Sequence, residues 1–200
     1  MRSWHDELEN YVDDRSTGYV IETLGEDVDR AYKRVSKNFD NPDSDGAEYD
    51  ESDARDLYRA VFAYIEGLSF SVKVSSAAKL VEKGELDRAQ FLVAAELTLD
   101  VRDGEIFEKP LRASLEESVK LACRLADMAH AKETPTLDTS RQWWSDFKKA
   151  TGVRDRLTHP KLPRDVDISP EEVVLIIRVE SGFRELMGGC VGGQDGPQTD

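Results

Sequence analysis

The hydrophobic positions of the chain recur mainly at spacings of three and four residues, which place them on one face of a helix. Residues 18–39 follow this pattern at Leu24, Val28, Ala31 and Val35. A longer stripe lies within residues 54–83, at Leu57, Val61, Ile65, Leu68 and Val72. Both patterns predict amphipathic helices. The longer helix is expected to end at Lys83-Gly84, because glycine readily adopts the backbone conformation that follows a helix.

Further helix signals lie on both sides of these two segments. They cover residues 4–16, 86–97, 114–131, 139–152 and 167–187. Two of the helices begin with a serine three positions before a glutamate, a capping pattern that satisfies free backbone N–H groups: Ser114 with Glu117, and Ser169 with Glu172. Gly152 is expected to close the helix that precedes the last one.

Residues 97–110 differ from the rest of the chain, because apolar and polar side chains alternate there around Asp103-Gly104. An Asp-Gly pair between alternating segments is a strong local signal for a β-hairpin. Since two isolated strands are only marginally stable, this small hairpin or extended loop is expected to pack on the helices.

Taken together, the elements predict an all-α fold: a bundle of four to five helices with a small hairpin insertion and an N-terminal helical arm. We expect the following organisation: an acidic arm over 1–39, a flexible linker over 40–53, a helical domain over 54–187 and a disordered tail over 188–200. The linker is rich in Asp, Pro, Gly and Ser, and the tail is rich in Gly, which is typical of segments without a packed core.

The composition is acidic, with 34% charged residues and a net charge of −14. Such a charge repels phosphate at long range and argues against indiscriminate binding of nucleic acids. The charge is uneven, however. Residues 1–56 hold 17 acids and 7 bases, whereas residues 141–164 hold 7 Lys or Arg against Asp146 and Asp155. The simplest explanation of this basic segment is a solvated helix face.

Location and cofactors are predicted from what the sequence lacks. No apolar run approaches the roughly eighteen residues of a membrane span, and the first residues, MRSWHDELENYVDD, have no apolar stretch typical of a secretory signal. A cytoplasmic location without membrane contact is therefore expected. Cys123 and Cys190 provide no disulfide framework, and His5 and His130 have no partner at metal-ligand spacing. Neither a metal nor another cofactor is expected.

The basic segment contains VRDRLTHPKLPRD at residues 153–165. On a helix, Asp155 and His159 would share a face, because four positions turn the chain by about 40°, whereas Arg154 and His159 would lie about 140° apart. Asp155 would then hydrogen-bond one ring nitrogen of the imidazole and fix its tautomer. Pro160 disfavours the helical conformation at His159, so the helix is expected to end there, where a ligand can reach it.

The same cluster is also compatible with an ordinary helix end. Basic residues in a last turn complement the helix dipole, and Asp155 would then pair with an arginine on the surface. Trp143 and Trp144 would either stack on nucleic-acid bases, or one of them would lie in the core and the other at an interface. Glu66, two positions after Tyr64 in the long apolar helix, faces either solvent or a shared cleft.

The motif RDRLTH at residues 154–159 resembles that of the HEPN superfamily. Its continuation in RLTHPK, the earlier FAYIEGLSF helix and the final amphipathic helix fit the same resemblance, which covers roughly residues 54–187. The resemblance implies a four- or five-helix bundle that is usually dimeric. Many members are metal-independent endoribonucleases, often toxins or antiphage effectors, while others have lost catalysis and bind nucleotides or protein partners.

The resemblance also implies roles for individual residues. Arg154 would bind the scissile phosphate, and His159 would transfer the proton of the attacking RNA 2′-hydroxyl. Asp155 would take the orienting position, where the family often has asparagine. An arginine contacts a phosphate at two points, and an imidazole suits acid–base chemistry. The residues expected to contact RNA are Arg156, Lys161, Tyr64 and Glu66.

Three functions follow from these observations. The first is a metal-independent endoribonuclease that acts as a homodimer, because a twofold axis would bring two sets of Arg154 and His159 together. The alternative is a non-catalytic HEPN-like module that binds a protein partner, such as an antitoxin, or a nucleotide. The third is a structural helical protein in which the cluster is only a helix end.

Overall fold

The computed structural model describes residues 14–39 and 50–191. In this part of the chain the helices are α1 Asp14–Phe39, α2 Glu51–Glu82, α3 Arg88–Ala94, α4 Leu115–Ala129, α5 Gln142–Thr158 and α6 Pro170–Val191. Strands β1 Leu97–Arg102 and β2 Glu105–Pro110 form an antiparallel hairpin, and a 3₁₀ turn at Pro163–Val166 links α5 to α6. The predictions of a mainly helical fold and of a hairpin are confirmed. Among these helices, none combines the length and the apolar character needed to cross a membrane.

The ends of the helices follow the local chemistry of the sequence. Ser114 caps α4 by accepting a hydrogen bond from the Glu117 backbone N–H at 3.2 Å. At the start of α6, Ser169 and Glu172 each accept a hydrogen bond from the other's backbone N–H, at 3.3 and 3.0 Å. Helix α5 ends at His159, as predicted, because Pro160 follows.

Helix α5 is nevertheless longer than predicted, because Gly152 lies inside it rather than at its end. Val153 is buried and continues the core-facing stripe that Phe147 and Ala150 begin. Burial of this stripe offsets the roughly 0.5–1 kcal/mol that a glycine costs a helix. The basic motif therefore lies on α5 itself.

Contacts divide the chain into two compact units. The described part of unit A comprises residues 19–39, 50–67 and 138–185, and that of unit B comprises residues 14–18, 68–137 and 186–191. The predicted arm over 1–39 and body over 54–187 differ from this division. Most of α1 belongs to unit A, since its stripe is buried; for example, Val28 lies beside Leu57 and Val61.

Two predicted boundaries shift as well. Residues 51–53 of the predicted linker begin α2, and residues 188–191 of the predicted tail end α6. Helix α6 continues past Gly188 because Met187 and Cys190 are buried in unit B. Residues 1–13, 40–49 and 192–200 of the predicted arm, linker and tail lie outside the described residues.

Each unit has its own hydrophobic core. In unit A, aromatic rings stack in series: the ring centroids of Tyr58 and Phe62 are 6.3 Å apart, those of Phe62 and Phe147 6.5 Å, and those of Trp143 and Phe147 5.4 Å. In unit B, the buried cluster includes Val74, Ala77, Leu80, Phe91, Ala94, Leu125 and Ala129.

Candidate active site

The first cation of the motif is the guanidinium of Arg154. It is 34% exposed, and it forms an ion pair with the Glu66 carboxylate of α2. Its Nη1 also donates to Asp155 Oδ1 at 3.2 Å, and its central carbon lies 5.9 Å from the centre of the Phe62 ring. Three side chains of unit A therefore hold one guanidinium in place while leaving part of it open to solvent.

Helix α2 supplies two of these three contacts because Phe62 and Glu66 are four positions apart. Residues at this spacing lie one above the other on the same helix face. The ring attracts the cation through its negative face, and the carboxylate attracts it by charge. Glu66 thus both faces solvent and contacts the motif. Phe62 was not predicted as a site residue, although its spacing from Glu66 was a usable signal.

Asp155 does not take the predicted position beside the imidazole. Its carboxylate accepts from Arg154 instead, and within the described residues no hydrogen bond joins it to the His159 ring. The link between Asp155 and His159 is through the backbone, where the His159 N–H donates to the Asp155 carbonyl at 3.0 Å. His159 has left the helical conformation, with φ −128° and ψ 58°, so the four-residue spacing no longer aligns the two side chains.

The His159 ring is exposed at the C-terminal end of α5. In the part of the chain that the structure describes, neither a hydrogen bond nor an ion pair joins this ring to Arg154. Five helical positions correspond to a rise of about 7.5 Å and a rotation of about 140°. The motif therefore presents a guanidinium and an imidazole on the same helix end but not as a contacting pair.

Arg156, predicted to contact RNA, is instead occupied by the protein. Its Nη1 donates to the backbone carbonyls of Asp165 at 3.0 Å and Asp167 at 2.6 Å, and its Nη2 lies 2.9 Å from both carboxylate oxygens of Glu172. These contacts fix the turn between α5 and α6 to the start of α6. The role of Arg156 is therefore structural.

Lys161 lies in the same turn and is exposed. Its backbone N–H donates to Asp165 Oδ2 at 2.8 Å, and so does that of Leu162. These two hydrogen bonds, with smaller contributions from the charges of nearby arginines, lower the pKa of the Asp165 carboxyl. The backbone of Lys161 is thus fixed, while its ammonium group has no protein partner among the described residues and remains available to an anion.

Tyr64, also predicted to contact RNA, lies apart from the Arg154 cluster. Two helical positions separate it from Glu66 by about 200°, which turns it to the opposite side of α2. Its ring is buried against Phe183, with centroids 6.1 Å apart, and the Arg184 guanidinium lies 5.1 Å from its centre. Burial raises the pKa of its hydroxyl. The structure therefore places Tyr64 in the core of unit A.

The two tryptophans of α5 also pack inside unit A. Trp144 is buried, and the indole Nε1 of Trp143 donates to the Val179 carbonyl at 2.9 Å. The Trp143 ring stacks on Phe147 with an interplanar angle of 9°. Packing, rather than base stacking, accounts for both rings.

The arrangement at Arg154 permits exchange of one anion for another. Ion pairs between partly exposed groups contribute about 0–1 kcal/mol each, so the contacts of Arg154 with Glu66 and Asp155 are weak. A phosphate that meets the guanidinium at two points can thus displace Glu66 or Asp155. The exposed imidazole of His159 offers a proton-transfer group near the same helix end.

Metal ligation has no visible basis in residues 14–39 and 50–191, where no three His, Cys, Asp or Glu side chains are grouped closely enough to hold an ion. No family model matches the chain, and no match was found among curated proteins or solved structures.

Proposed function

We propose that the protein is a metal-independent endoribonuclease of the HEPN type that acts as a homodimer. The observation that supports this proposal is a fixed but partly exposed guanidinium, Arg154, followed at the end of the same helix by the exposed imidazole of His159. Both groups lie in a basic segment of an otherwise acidic chain. We propose a cytoplasmic location for this activity.

In the proposed reaction, the 2′-hydroxyl of a ribose attacks the adjacent phosphorus, and the 5′-oxygen of the next nucleotide leaves. His159 takes the proton of the attacking hydroxyl as a general base. Arg154 binds the non-bridging phosphate oxygens and stabilises the negative charge that develops on them. The products are a 2′,3′-cyclic phosphate and a 5′-hydroxyl.

One arginine and one histidine are few for a complete site, because the leaving oxygen also needs a proton. A twofold dimer supplies a second histidine if the ends of the two α5 helices face each other. Glu66 is then a positioning residue: with Phe62 it orients Arg154 before RNA arrives, and the phosphate replaces it on binding.

The test is digestion of a labelled RNA by the purified full chain in the presence of EDTA. Cleavage with cyclic phosphate ends is expected for the wild type, and a loss of at least about 100-fold is expected for His159→Ala. His130→Ala is the matched control, because His130 is also exposed at the C-terminal end of a helix, α4. Undiminished cleavage by purified His159→Ala would exclude the proposed mechanism.

Two arginine variants give a second comparison in the same assay. Arg154→Ala should lose cleavage, whereas Arg59→Ala should keep it, because Arg59 is an exposed arginine of α2 that pairs with Asp56. If growth of a host expressing the wild type stops while growth with His159→Ala continues, the activity is that of a toxin or an antiphage effector.

A non-catalytic module is the second candidate, and one observation favours it. Two carboxylates, Glu66 and Asp155, neutralise Arg154, and the net charge of −14 opposes the approach of RNA. This function predicts no RNA turnover at any protein concentration, together with saturable binding of a basic protein partner or a nucleotide. The same digest therefore separates the two candidates.

A further inference from the structure

The β1–β2 hairpin is fixed to unit B at its base. Lys73 of α2 is buried, and its ammonium donates to the Glu96 carboxylate and to Ser118 Oγ, the latter at 2.6 Å. The Leu111 N–H after β2 donates to the Glu96 carbonyl before β1 at 2.7 Å. Because a buried ammonium is costly unless its partners stay in place, the first residues of the hairpin are held firmly.

The turn fixes which backbone groups of β2 point outward. Asp103 and Gly104 have φ values of 54° and 83°, as a two-residue type I′ turn requires. In such a hairpin the residues that flank the turn, Arg102 and Glu105, exchange ladder hydrogen bonds, and alternate pairs do the same. The N–H and C=O groups of Ile106 and Glu108 therefore point away from β1.

The outward edge of β2 is open in the part of the chain that the structure describes. The sheet there has two strands, and every residue of β2 is exposed. Ile106 is 72% exposed, and its cross-strand neighbour Val101 is 68% exposed. β1 differs, since the outward N–H of Val101 already donates to Asp100 Oδ1 at 2.9 Å. An exposed edge with apolar side chains is a template for a further strand.

The charges along β2 make this edge complementary to itself. When β2 of a second chain pairs with this edge in the antiparallel direction, residues whose backbone groups point away from β1 must face each other. Three registers near the centre of the strand meet this condition. Ile106 opposite Ile106 places Glu105 opposite Phe107. Glu108 opposite Glu108 sets like charges together and brings Pro110, which lacks an N–H, into a hydrogen-bonding position. Ile106 opposite Glu108 places Glu105 opposite Lys109, whose half-exposed ammonium pairs with Asp100 of the same hairpin and can be shared with a second carboxylate.

We propose that two copies of this chain associate through their β2 edges, antiparallel, about a twofold axis at Phe107. Ile106 of each copy pairs with Glu108 of the partner subunit, Phe107 faces the partner's Phe107, and Glu105 faces the partner's Lys109. Both Glu105–Lys109 contacts form at once because the interface is symmetric. The two hairpins become one four-stranded sheet, which is more stable than either alone.

This association does not rest on the ribonuclease proposal. It uses hairpin residues of unit B and none of the Arg154 cluster. A readout placed on the hairpin itself detects it whether or not the chain also forms another dimer.

The first experiment is a cross-link at the twofold axis. In the proposed register, residue 107 faces itself in a non-hydrogen-bonded pair, with Cα atoms about 4.5 Å apart, which a disulfide can bridge. Oxidation of full-length Phe107→Cys with diamide should therefore give a covalent dimer. The native Cys123 and Cys190 are buried, so little cross-linking between chains through these two thiols is expected. Val101→Cys, an exposed position on β1, is the matched control.

A proline makes the cross-link specific to the β2 edge. Ile106→Pro removes an outward N–H without breaking the ladder to β1. In the Phe107→Cys background it should reduce the initial cross-linking rate roughly ten-fold or more, whereas Val101→Pro, which removes an outward N–H of β1, should not. Equal cross-linking at positions 107 and 101, or no effect of Ile106→Pro, would overturn the proposal.

Charge exchange gives an independent test in the same background. Glu105→Lys alone sets two ammonium groups together, because the introduced side chain faces Lys109 of the partner subunit, and Lys109→Glu alone sets two carboxylates together. Each should weaken self-association by about ten-fold. An equimolar mixture of the two variants restores opposite charges at both contacts and should form a covalent heterodimer at the wild-type rate. A mixture that cross-links no faster than either variant alone contradicts the register.

Discussion

At the scale of single residues, Arg154 and Arg156 lie two positions apart on α5 but serve different purposes in unit A. Arg154 holds two exposed carboxylates and an aromatic ring. Arg156 donates to backbone carbonyls of the following turn and to both oxygens of Glu172. The Glu172 carboxylate that Arg156 contacts is 27% exposed, whereas those of Glu66 and Asp155 are 46% and 59% exposed and turn more easily to water.

The two arginines should therefore differ in what their removal does to stability. Arg156→Ala is expected to lower the free energy of unfolding by about 2–4 kcal/mol, since several charge-assisted hydrogen bonds are lost together. Arg154→Ala should cost less than about 1 kcal/mol, because its ion pairs are partly exposed. Urea unfolding of both variants measures the difference. Equal losses would mean that Arg154 is as structural as Arg156 and would remove it from the site.

The same pair shows how far residue roles could be predicted from sequence. The exposed His159 at a helix end followed from Pro160, which acts locally. The partners of Arg156 could not be predicted, because they lie 8 to 16 positions further on and depend on how the turn folds back. Asp155 was assigned to His159 by helical spacing, but the flexible side chain of the adjacent Arg154 reaches the carboxylate instead.

At the scale of elements, two glycines inside helices have opposite surroundings. A Cβ built at Gly152 of α5 meets no atom within 4 Å. A Cβ built at Gly182 of α6 overlaps the indole of Trp143, whose Nε1 donates to the carbonyl of Val179. Gly182 therefore allows α5 and α6 of unit A to approach closely, while Gly152 only reduces the stability of its helix.

Substitution of these glycines by alanine should change stability in opposite directions. Gly182→Ala is expected to destabilise the protein by about 1–3 kcal/mol, because the rigid indole must move from its stack on Phe147. Gly152→Ala should stabilise it by about 0.5–1 kcal/mol, since alanine restricts the unfolded chain and suits a helix. Thermal unfolding of the two variants beside the wild type provides the measurement. Destabilisation by Gly152→Ala would show that the space beside it is needed.

The elements themselves were largely predictable where a local signal determines them. The hairpin followed from Asp103-Gly104, because few other residue pairs adopt positive φ at both turn positions. The closure of helix α5 at Gly152 was predicted wrongly, since a glycine signal is weak when apolar residues continue beyond it, as Val153 does. At this position, the burial of Val153 outweighs the low helix propensity of glycine.

At the scale of the whole molecule, the grouping of elements was not predictable from the chain order. The sequence suggested an arm followed by a body, whereas α1 joins residues of α2, α5 and α6 in unit A. Each amphipathic face must be buried against another, but periodicity does not specify which two faces meet. The loop-like composition of residues 40–53 suggested a boundary between domains, whereas residues 19–39 and 50–67 belong to the same compact unit.

The stability of the folded molecule also depends on pH through buried tyrosines. The Tyr58 hydroxyl donates to the Glu172 carbonyl at 2.9 Å. Burial, aided by the nearby Glu172 charge and opposed by Arg156, raises its pKa above the ordinary value. Burial raises the pKa of Tyr64 in the same way, with Arg184 acting against it. In both cases the folded state holds the phenolic proton more tightly than the unfolded chain does.

The sign of the pH dependence follows directly. A tyrosine whose pKa is raised by folding contributes stability that is fully present below the unfolded pKa, about 10, and is lost as pH rises above it. The free energy of unfolding should therefore fall above about pH 10. Tyr58→Phe should cost about 0.5–1.5 kcal/mol at pH 7 through the lost hydrogen bond, yet show a shallower alkaline decline, so that its curve approaches the wild-type curve as pH increases.

Tyr64→Phe should flatten the decline less, because Arg184 already offsets part of the burial. Urea unfolding between pH 7 and 11 tests this, and parallel curves for Tyr58→Phe and wild type would show that the Tyr58 hydroxyl ionises as readily in the folded state as in the unfolded chain.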